Sequence, residues 1–224
     1  MDKRYYGAIG ILGSLLLFVG DMFLFGHFGN GVEFNDKIQI VAQNASETRL
    51  FIGGILGPLG AMLYVFGFWH IYLNTKKSSP VISLIIFLSL ACMMFFGGAY
   101  HTIWTVRMLL FKYPVSIDNS SLFVTSFNAF LTTIFNISLA VGYVGGLLLV
   151  ILILLRKSIY PRWIILITPG ILLFFAPLVK RISSPFGAVL FGGYLNLVFF
   201  IFLTCSVIFT WKEKNVALEP VQLQ

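Results

Sequence analysis

The stretch YGAIGILGSLLLFVGDMFLF, residues 6–25, decides the class of fold. A helix needs about 20 predominantly apolar residues to cross the hydrocarbon core of a bilayer, and this stretch carries a single charged side chain, Asp21. Five further apolar segments of comparable or greater length follow it. The sequence therefore predicts an all-α polytopic transmembrane helix bundle that forms one domain over residues 1–211. The six predicted spans lie at about residues 6–25, 50–73, 81–104, 121–155, 163–179 and 186–211.

The composition excludes a water-soluble fold. Of the 224 residues, 58% are hydrophobic and 10% are charged, whereas water-soluble domains carry about 25% charged residues. The formal net charge of +7 does not indicate nucleic-acid binding, because the basic residues are scattered over short loops between the apolar segments. Cys92 and Cys205 both lie inside apolar runs, so they predict buried thiols rather than a disulfide framework.

Two predicted spans depart from a simple crossing. Segment 121–155 is too long for one crossing, so its outer part is predicted to project beyond the membrane or to lie on its surface. Segment 163–179 is short and contains Pro169 and Pro177, which predict a kink. Residues 212–224, KEKNVALEPVQLQ, are predicted to form a disordered cytoplasmic tail.

The distribution of Lys and Arg predicts that both termini are cytoplasmic. With that orientation, more than half of the 15 basic residues flank the cytoplasmic helix ends, as the positive-inside rule requires. The two long loops, residues 26–49 and 105–120, then lie outside, so a shaped site is expected on the outer face. The first span lacks a small-residue cleavage site and is predicted to be a retained helix rather than a signal peptide.

Polar side chains from four predicted spans fall at one depth. Counting about 1.5 Å per residue from the cytoplasmic helix ends places them about 24–32 Å up, near the outer edge of the hydrocarbon. Asp21 is the sharpest of them, because an ionisable group inside a membrane is costly unless it is paired or neutral. Two interpretations of this carboxylate stay open, a functional site or a structural pairing with Arg49, Arg107 or His101. The polar layer consists of Asp21, His101, Asn136, Tyr194 and Asn196.

The layer is predicted to surround an outward-opening pocket. Polar residues of segment 121–155 recur at spacings that place them on one helix face. This stripe is predicted to line a cavity leading down to the layer, and a hydrated face or interhelical hydrogen bonding is the alternative. It consists of Ser121, Thr125, Asn128, Thr132 and Asn136.

Basic side chains are predicted to form a rim at the mouth of this pocket. Such a rim would recognise phosphate or carboxylate groups of a lipid or metabolite, and ordinary snorkelling at helix ends is the alternative. The rim consists of Arg49, Arg107, Lys180 and Arg181. The candidate ligand-binding residues are therefore Asp21, His101, Asn136, Tyr194, Asn196, Arg49, Arg107 and Glu47.

The histidines raise the question of a metal site. The imaginable zinc ligands are Asp21, His27, His101 and Glu47. No ligand spacing such as HExxH supports this set. The sequence therefore predicts no metal and no cofactor, and zinc at Asp21, His27 and His101 is the alternative.

His70 is predicted to be unrelated to the polar layer. It lies near the cytoplasmic end of its span, roughly a full bilayer away from His101. Trp69 and Tyr72 flank it, so this group is predicted to be an interfacial aromatic belt.

Three stretches carry a resemblance to a known family. They are GDMFLFGHFG (20–29), GGILGPLGAMLYVFGFWHIYL (53–73) and GGAYH (97–101). They resemble the signature stretches of a family of small bacterial multi-pass membrane proteins of unknown function. The likeness covers the first half of the chain and is weaker beyond it. It implies a location in the inner (cytoplasmic) membrane of a bacterium and implies no chemistry.

Three hypotheses for the function follow. The first is a protein that binds or transports a small molecule or lipid through the pocket around Asp21 and His101. The second is an intramembrane enzyme that acts on lipid-linked substrates at the outer leaflet, with these two residues as an acid–base pair. The third is a structural membrane subunit without a pocket. Signatures such as GxSxG, HExxH and GxGxxG are absent, so no catalytic residue is assigned and the enzyme question stays open. The predicted partners are the lipid bilayer and a small-molecule or lipid ligand, with no nucleic acid, and the oligomeric state stays open.

Overall fold

The computed structural model describes residues 2–26, 34–113, 120–182 and 186–216, and every regular element in these ranges is helical. Five helices are long and apolar enough to cross a membrane, so the all-helical class is confirmed for the described part of the chain. The long helices are α1 (Lys3–Phe25), α3 (Glu47–Thr75), α4 (Pro80–Lys112), α5 (Ser120–Leu154) and α9 (Tyr194–Val216). The shorter elements are α2 (Phe34–Asn44), α6 (Pro169–Leu172), α7 (Ala176–Val179) and α8 (Phe186–Gly192), with 3-10 helices at Arg162–Ile167 and Leu173–Phe175.

Helix α1 packs on α3 through facing glycines. Gly10 lies so close to Gly67 that a Cβ at Gly10 would overlap the Cα of Gly67. Gly13 and Gly60 approach in the same way, because a Cβ on either one would lie 2.9 Å from the carbonyl oxygen of the other. Helix association in lipid depends on van der Waals packing rather than on the hydrophobic effect. Close backbone contact therefore holds these two helices together.

The first and last long helices run antiparallel. Asp21, near the end of α1, is hydrogen-bonded to Asn196, near the start of α9. The guanidinium of Arg4, near the start of α1, stacks on the ring of Trp211 at 4.4 Å. We refer to these two ends of the bundle as the Asp21 end and the terminal end.

Residues 155–193 lead the chain from the terminal end back to the Asp21 end without a long helix. The hydroxyl of Tyr160 is hydrogen-bonded to Ser206 at the terminal end. Gly192 lies against Phe25 at the Asp21 end. Because of this return path, α9 starts at the same end of the bundle at which α1 ends, the Asp21 end.

The predicted fifth span, 163–179, is not one helix. It is divided among two 3-10 helices, α6 and α7. Pro169 and Pro177 each lie in the first turn of a short helix, where the missing N–H donor of proline costs no hydrogen bond. The sequence predicted a single kinked helix here, whereas the structure divides the segment into separate short helices.

The predicted last span, 186–211, is also divided. A turn at Gly193 separates α8 from α9. Helix α9 continues to Val216, and residues 217–224 lie outside the described residues. The disordered tail therefore stays a prediction.

Additional structure lies at the Asp21 end. Helix α5 has 35 residues, which corresponds to about 52 Å and exceeds the roughly 30 Å of a hydrocarbon core. Helix α2, which the sequence did not predict, lies in the loop between α1 and α3 and packs on α4. It buries Ile38, Val41 and Ala42 there. The Lys112 ammonium donates to the Ala45 carbonyl at 2.8 Å and fastens the end of α2 to α4.

The glycine contact between α1 and α3 predicts a specific loss of stability. Gly10→Ala should lower the free energy of unfolding by about 1–3 kcal/mol, because the new methyl group overlaps the backbone of α3. Gly97→Ala is the matched control, because a Cβ there would meet only the Ser138 hydroxyl, at 3.9 Å. Unfolding of both variants in mixed micelles, followed by tryptophan fluorescence, provides the measurement. Equal stability of the two variants would contradict the packing described.

Candidate functional site

Four long helices each contribute one side chain to a buried polar group at the Asp21 end. His101 Nε2 of α4 lies 3.0 Å from Asp21 Oδ1, and Asn196 Nδ2 of α9 donates to Asp21 Oδ2 at 2.6 Å. The Tyr64 hydroxyl of α3 donates to Asn196 Oδ1 at 2.9 Å. None of the four side chains belongs to a residue more than 6% exposed. We call Asp21, Tyr64, His101 and Asn196 the Asp21 cluster.

Small residues make room for the imidazole of His101. A Cβ at Gly57 of α3 would lie 2.5 Å from the Cβ of His101, and one at Gly20 of α1 would lie 3.1 Å from its Cε1. Gly98 of α4 faces Ala61 of α3, and a Cβ added at Gly98 would lie 3.0 Å from the Cβ of Ala61. The glycines that flank the histidine thus allow three helices to close around it.

The hydrogen bonds of the cluster match a charged Asp21 and a neutral His101. Asp21 then accepts from two donors, and the imidazole donates through Nε2. The other ring nitrogen, Nδ1, is buried without a hydrogen-bond partner. Adding a proton to the pair leaves an unpaired Nδ1–H, or requires the Asn196 amide to turn over so that it accepts from a protonated Asp21. The pair without the added proton therefore has a buried net charge, and the pair with it has a disrupted hydrogen bond. Each of these features is unfavourable.

The structure brings together three members of the predicted polar layer, Asp21, His101 and Asn196. Two others lie elsewhere. The hydroxyl of Tyr194 donates to the Leu172 carbonyl at 2.7 Å. Asn136 lies on the exposed face of α5.

The polar stripe of α5 does not lead into the Asp21 cluster. Thr132 and Asn136 are exposed on the outside of the bundle. The Thr132 hydroxyl donates back to the Asn128 carbonyl at 2.9 Å. The side chain of Ser121 lies outside the described residues. These contacts do not join the described part of the stripe to the Asp21 cluster, and the cavity lining stays a prediction.

Arg49 acts as a helix cap at the Asp21 end. Its guanidinium donates to the carbonyls of Phe23 at 2.8 Å, Gly26 at 2.7 Å and Met22 at 3.2 Å. These carbonyls belong to the end of α1, where carbonyls run out of intrahelical donors, although that of Met22 also accepts from the Gly26 N–H at 2.9 Å. Arg49 therefore binds backbone carbonyls at the end of α1. It does not form the pair with the Asp21 carboxylate that was one interpretation of the sequence.

Glu47 and the other predicted rim residues have different surroundings. Glu47 accepts a short hydrogen bond from the Tyr113 hydroxyl on the exposed surface. This hydrogen bond raises the pKa of Tyr113 above its ordinary value. Arg107 stacks on Trp104 at 4.3 Å, and Lys180 is exposed.

No metal site is assembled by the described residues. They contain no group of three or more His, Cys, Asp or Glu side chains that could hold a metal ion. His27 lies outside the described residues, so the zinc alternative with Asp21, His27 and His101 is neither supported nor excluded.

A second buried polar group lies at the terminal end. His70 Nδ1 is 2.7 Å from the Lys3 carbonyl, which can only accept, so Nδ1 carries the hydrogen. Nε2 then accepts, with Ser206 Oγ at 2.8 Å and Asn74 Nδ2 at 3.0 Å. The Tyr160 hydroxyl contacts both Ser206 Oγ, at 2.7 Å, and Asn74 Nδ2, at 3.0 Å. We call His70, Asn74, Tyr160, Ser206 and Thr210 the terminal cluster.

The predicted interfacial position of His70 is wrong. Its side chain is fully buried and joins α1, α3 and α9. The signal that could have identified the cluster is a pair of polar residues four apart on each of two apolar helices, namely His70 with Asn74 and Ser206 with Thr210. The terminal half of the bundle therefore contains a buried polar group as well as apolar packing.

A model of a family of unknown function, DUF6796, matches residues 1–214. The chain belongs to this family. The match includes both the Asp21 cluster and the terminal cluster. No curated protein and no solved structure matches the chain. For this member of DUF6796, inferences about function therefore depend on the geometry of its own residues.

The Asp21 cluster predicts that Tyr64→Phe is more harmful than an ordinary loss of a hydroxyl. The variant leaves Asn196 Oδ1 buried without its donor, so the free energy of unfolding should fall by about 1–3 kcal/mol. Ser138→Ala is the control, because its hydroxyl donates to the Met93 carbonyl, which belongs to a helix interior. Thermal unfolding in nanodiscs compares the two. A larger loss in Ser138→Ala would contradict the assignment of Tyr64 to the cluster.

The terminal cluster makes a parallel prediction. His70→Phe should lower the free energy of unfolding by at least about 2 kcal/mol, because it removes the partner of the Lys3 carbonyl and of two buried side chains. Trp69→Phe changes the neighbouring, half-buried ring and should have a smaller effect. Chemical unfolding of both variants in detergent tests this order, and the reverse order would restore the aromatic-belt interpretation.

Proposed function

We propose that this protein is a multi-pass transporter that exchanges a proton for a small cationic solute at the Asp21 cluster. The observation that carries the proposal is the buried Asp21–His101 pair with its unpartnered Nδ1. An ionisable group inside a membrane is a functional site by default, because its burial is costly.

The proposed topology has six crossings with both termini in the cytoplasm of a bacterium. Residues 155–193 would make the fifth crossing as a broken segment, with Ile164 and Thr168 fully buried and the apolar side chains of Leu166 and Phe174 exposed. The antiparallel arrangement of α1 and α9 supports an even number of crossings. The Asp21 end is then the outer end, as the distribution of Lys and Arg predicts.

The exchange follows from the charge of the cluster. With Asp21 charged and His101 neutral, the cluster has one net negative charge in a buried position. A proton or a cationic group can each neutralise that charge, and both cannot occupy the carboxylate together. Proton uptake also changes the hydrogen bonds among α1, α4 and α9, so occupancy is coupled to the packing of three helices.

In the described arrangement the four side chains are buried, so we interpret it as the closed state of the transport cycle. Solute entry requires helices to separate at the Asp21 end. The separation would expose a carboxylate, an imidazole, an amide and a phenol to the solute, which suits a small cation that also donates hydrogen bonds.

Proton release on ligand addition tests the proposal. Purified protein in weakly buffered detergent, with a pH-sensitive dye, is first brought to a pH low enough for the Asp21–His101 pair to take up its proton. It should then release about one proton per chain when the right member of a panel of small organic cations is added. Asp21→Asn should abolish this release, because the amide has no charge to neutralise. The panel should include choline, tetramethylammonium and spermidine.

The control and the opposing outcomes are as follows. Ser138→Ala alters a buried hydroxyl outside the cluster and should release the same proton as the unmodified protein. Release by folded Asp21→Asn, or no release by the unmodified protein with any cation, would overturn the exchange. If Asp21→Asn fails to accumulate, Tyr64→Phe provides the second test. Reduced proton release by folded Tyr64→Phe supports exchange at the cluster, and release equal to that of the unmodified protein would mean that the cluster is a structural pairing.

A further inference from the structure

Among the described residues, the helices of the bundle carry three basic side chains at the Asp21 end. Two of the three already donate hydrogen bonds to backbone carbonyls. Arg49 donates to the final carbonyls of α1. Lys112 donates to the Ala45 and Gln43 carbonyls at the end of α2. Both side chains satisfy helix ends that would otherwise lack donors. The third, Arg107, does not cap a helix.

Arg107 is held in place by two aromatic rings. Its guanidinium carbon lies 4.3 Å from the ring centroid of Trp104 and 5.5 Å from that of Phe111. Its Nε is buried without a hydrogen-bond partner. No carboxylate lies within ion-pair distance of Arg107 in the described part of the chain. Among the described residues, Arg107 is therefore a half-buried, oriented cation without a counter-charge.

The position of Arg107 along α4 matches the headgroup level of a bilayer. It lies 27 residues after Pro80, or about 40 Å along the helix. A bilayer measures about 40–45 Å with its polar headgroups included. Trp104, which supports the guanidinium, is the kind of side chain that is enriched at this level.

We propose that Arg107 binds the phosphate of a phospholipid headgroup at the Asp21 end of α4. Guanidinium groups are weakly hydrated and offer paired donors that match phosphate oxygens. Stacking on Trp104 holds the guanidinium in one plane before the lipid arrives, which lowers the entropy lost on binding. The terminal nitrogens make no hydrogen bond in the described part of the protein, so they are the donors that meet the phosphate.

This site is distinct from the Asp21 cluster and yet adjoins it. The ring of Phe25 is 5.1 Å from that of Trp104 and 6.5 Å from that of His101, centroid to centroid. Arg107 itself lies six residues beyond His101, or about 9 Å along α4. A lipid bound here would contact the helix that carries the imidazole, but its binding does not require the proposed proton exchange.

Lipid-dependent stabilisation tests the proposal. Delipidated protein in detergent is titrated with phosphatidylglycerol, and the shift in melting temperature is followed. Diacylglycerol, which lacks the phosphate, and inorganic phosphate are titrated in parallel. We expect phosphatidylglycerol to stabilise the protein and the other two to have no effect. In Arg107→Met, which keeps an apolar stem over Trp104, the apparent affinity should fall about tenfold or more.

Arg162→Met is the matched control. It removes one positive charge from an exposed residue outside the predicted rim, whose guanidinium already donates to the Leu154 carbonyl at 3.2 Å, and it should keep the affinity of the unmodified protein. If Arg107→Met does not fold, Arg107→Lys provides the second test. It keeps the charge but loses the paired donors, and an intermediate affinity is expected.

The outcomes separate the sources of phosphate. Stabilisation by inorganic phosphate alone, lost in Arg107→Met, would keep the anion site but overturn the lipid as its ligand. Equal stabilisation by diacylglycerol, or an unchanged phosphatidylglycerol affinity in folded Arg107→Met, would overturn the phosphate site itself. None of these outcomes depends on Asp21, so a failure here leaves the exchange proposal standing.

Discussion

A carboxylate inside hydrocarbon must find its hydrogen-bond donors within the protein, and the Asp21 end of the bundle is arranged around that requirement. Asp21 obtains one donor from α4 and one from α9, and Tyr64 of α3 orients the second donor. Since the cluster is buried among the helices, any helix that withdraws leaves an unsatisfied polar group behind. The four helices are consequently held together by the same bonds that keep the charge tolerable.

The two polar clusters divide the bundle into three layers. Between the clusters lies an apolar layer in which Tyr64, Phe68 and Phe199 form ring contacts with centroids 5.5 Å apart. The facing glycines of α1 and α3 run through this layer and bring the backbones together. Hydrogen bonds thus determine which helices meet at the two ends, while shape complementarity fills the middle.

Sequence reasoning reached some of this arrangement and missed the rest for identifiable physical reasons. Run length predicts a helical membrane protein, and the rise per residue correctly places Asp21, His101 and Asn196 at one height. Height carries no information about direction, which is why Asn136 has a suitable depth and yet points out of the bundle. Tyr64 and His70 were missed because aromatic and imidazole side chains are equally at home at interfaces, and only a neighbouring helix shows that they are buried. The broken return segment was missed because hydropathy reports how apolar a stretch is, not whether its helix is continuous.

The position of α9 has a consequence for how the protein is made. Among the long helices of the bundle α1 is synthesised first and α9 last, yet α9 supplies a donor to Asp21 at one end and a hydroxyl to His70 at the other. During synthesis the carboxylate and the imidazole are therefore without these partners until α9 has been translated. The nascent bundle must remain open, or be shielded by the insertion machinery, until its final helix arrives. Assembly is thus completed by a single late event that closes both clusters together.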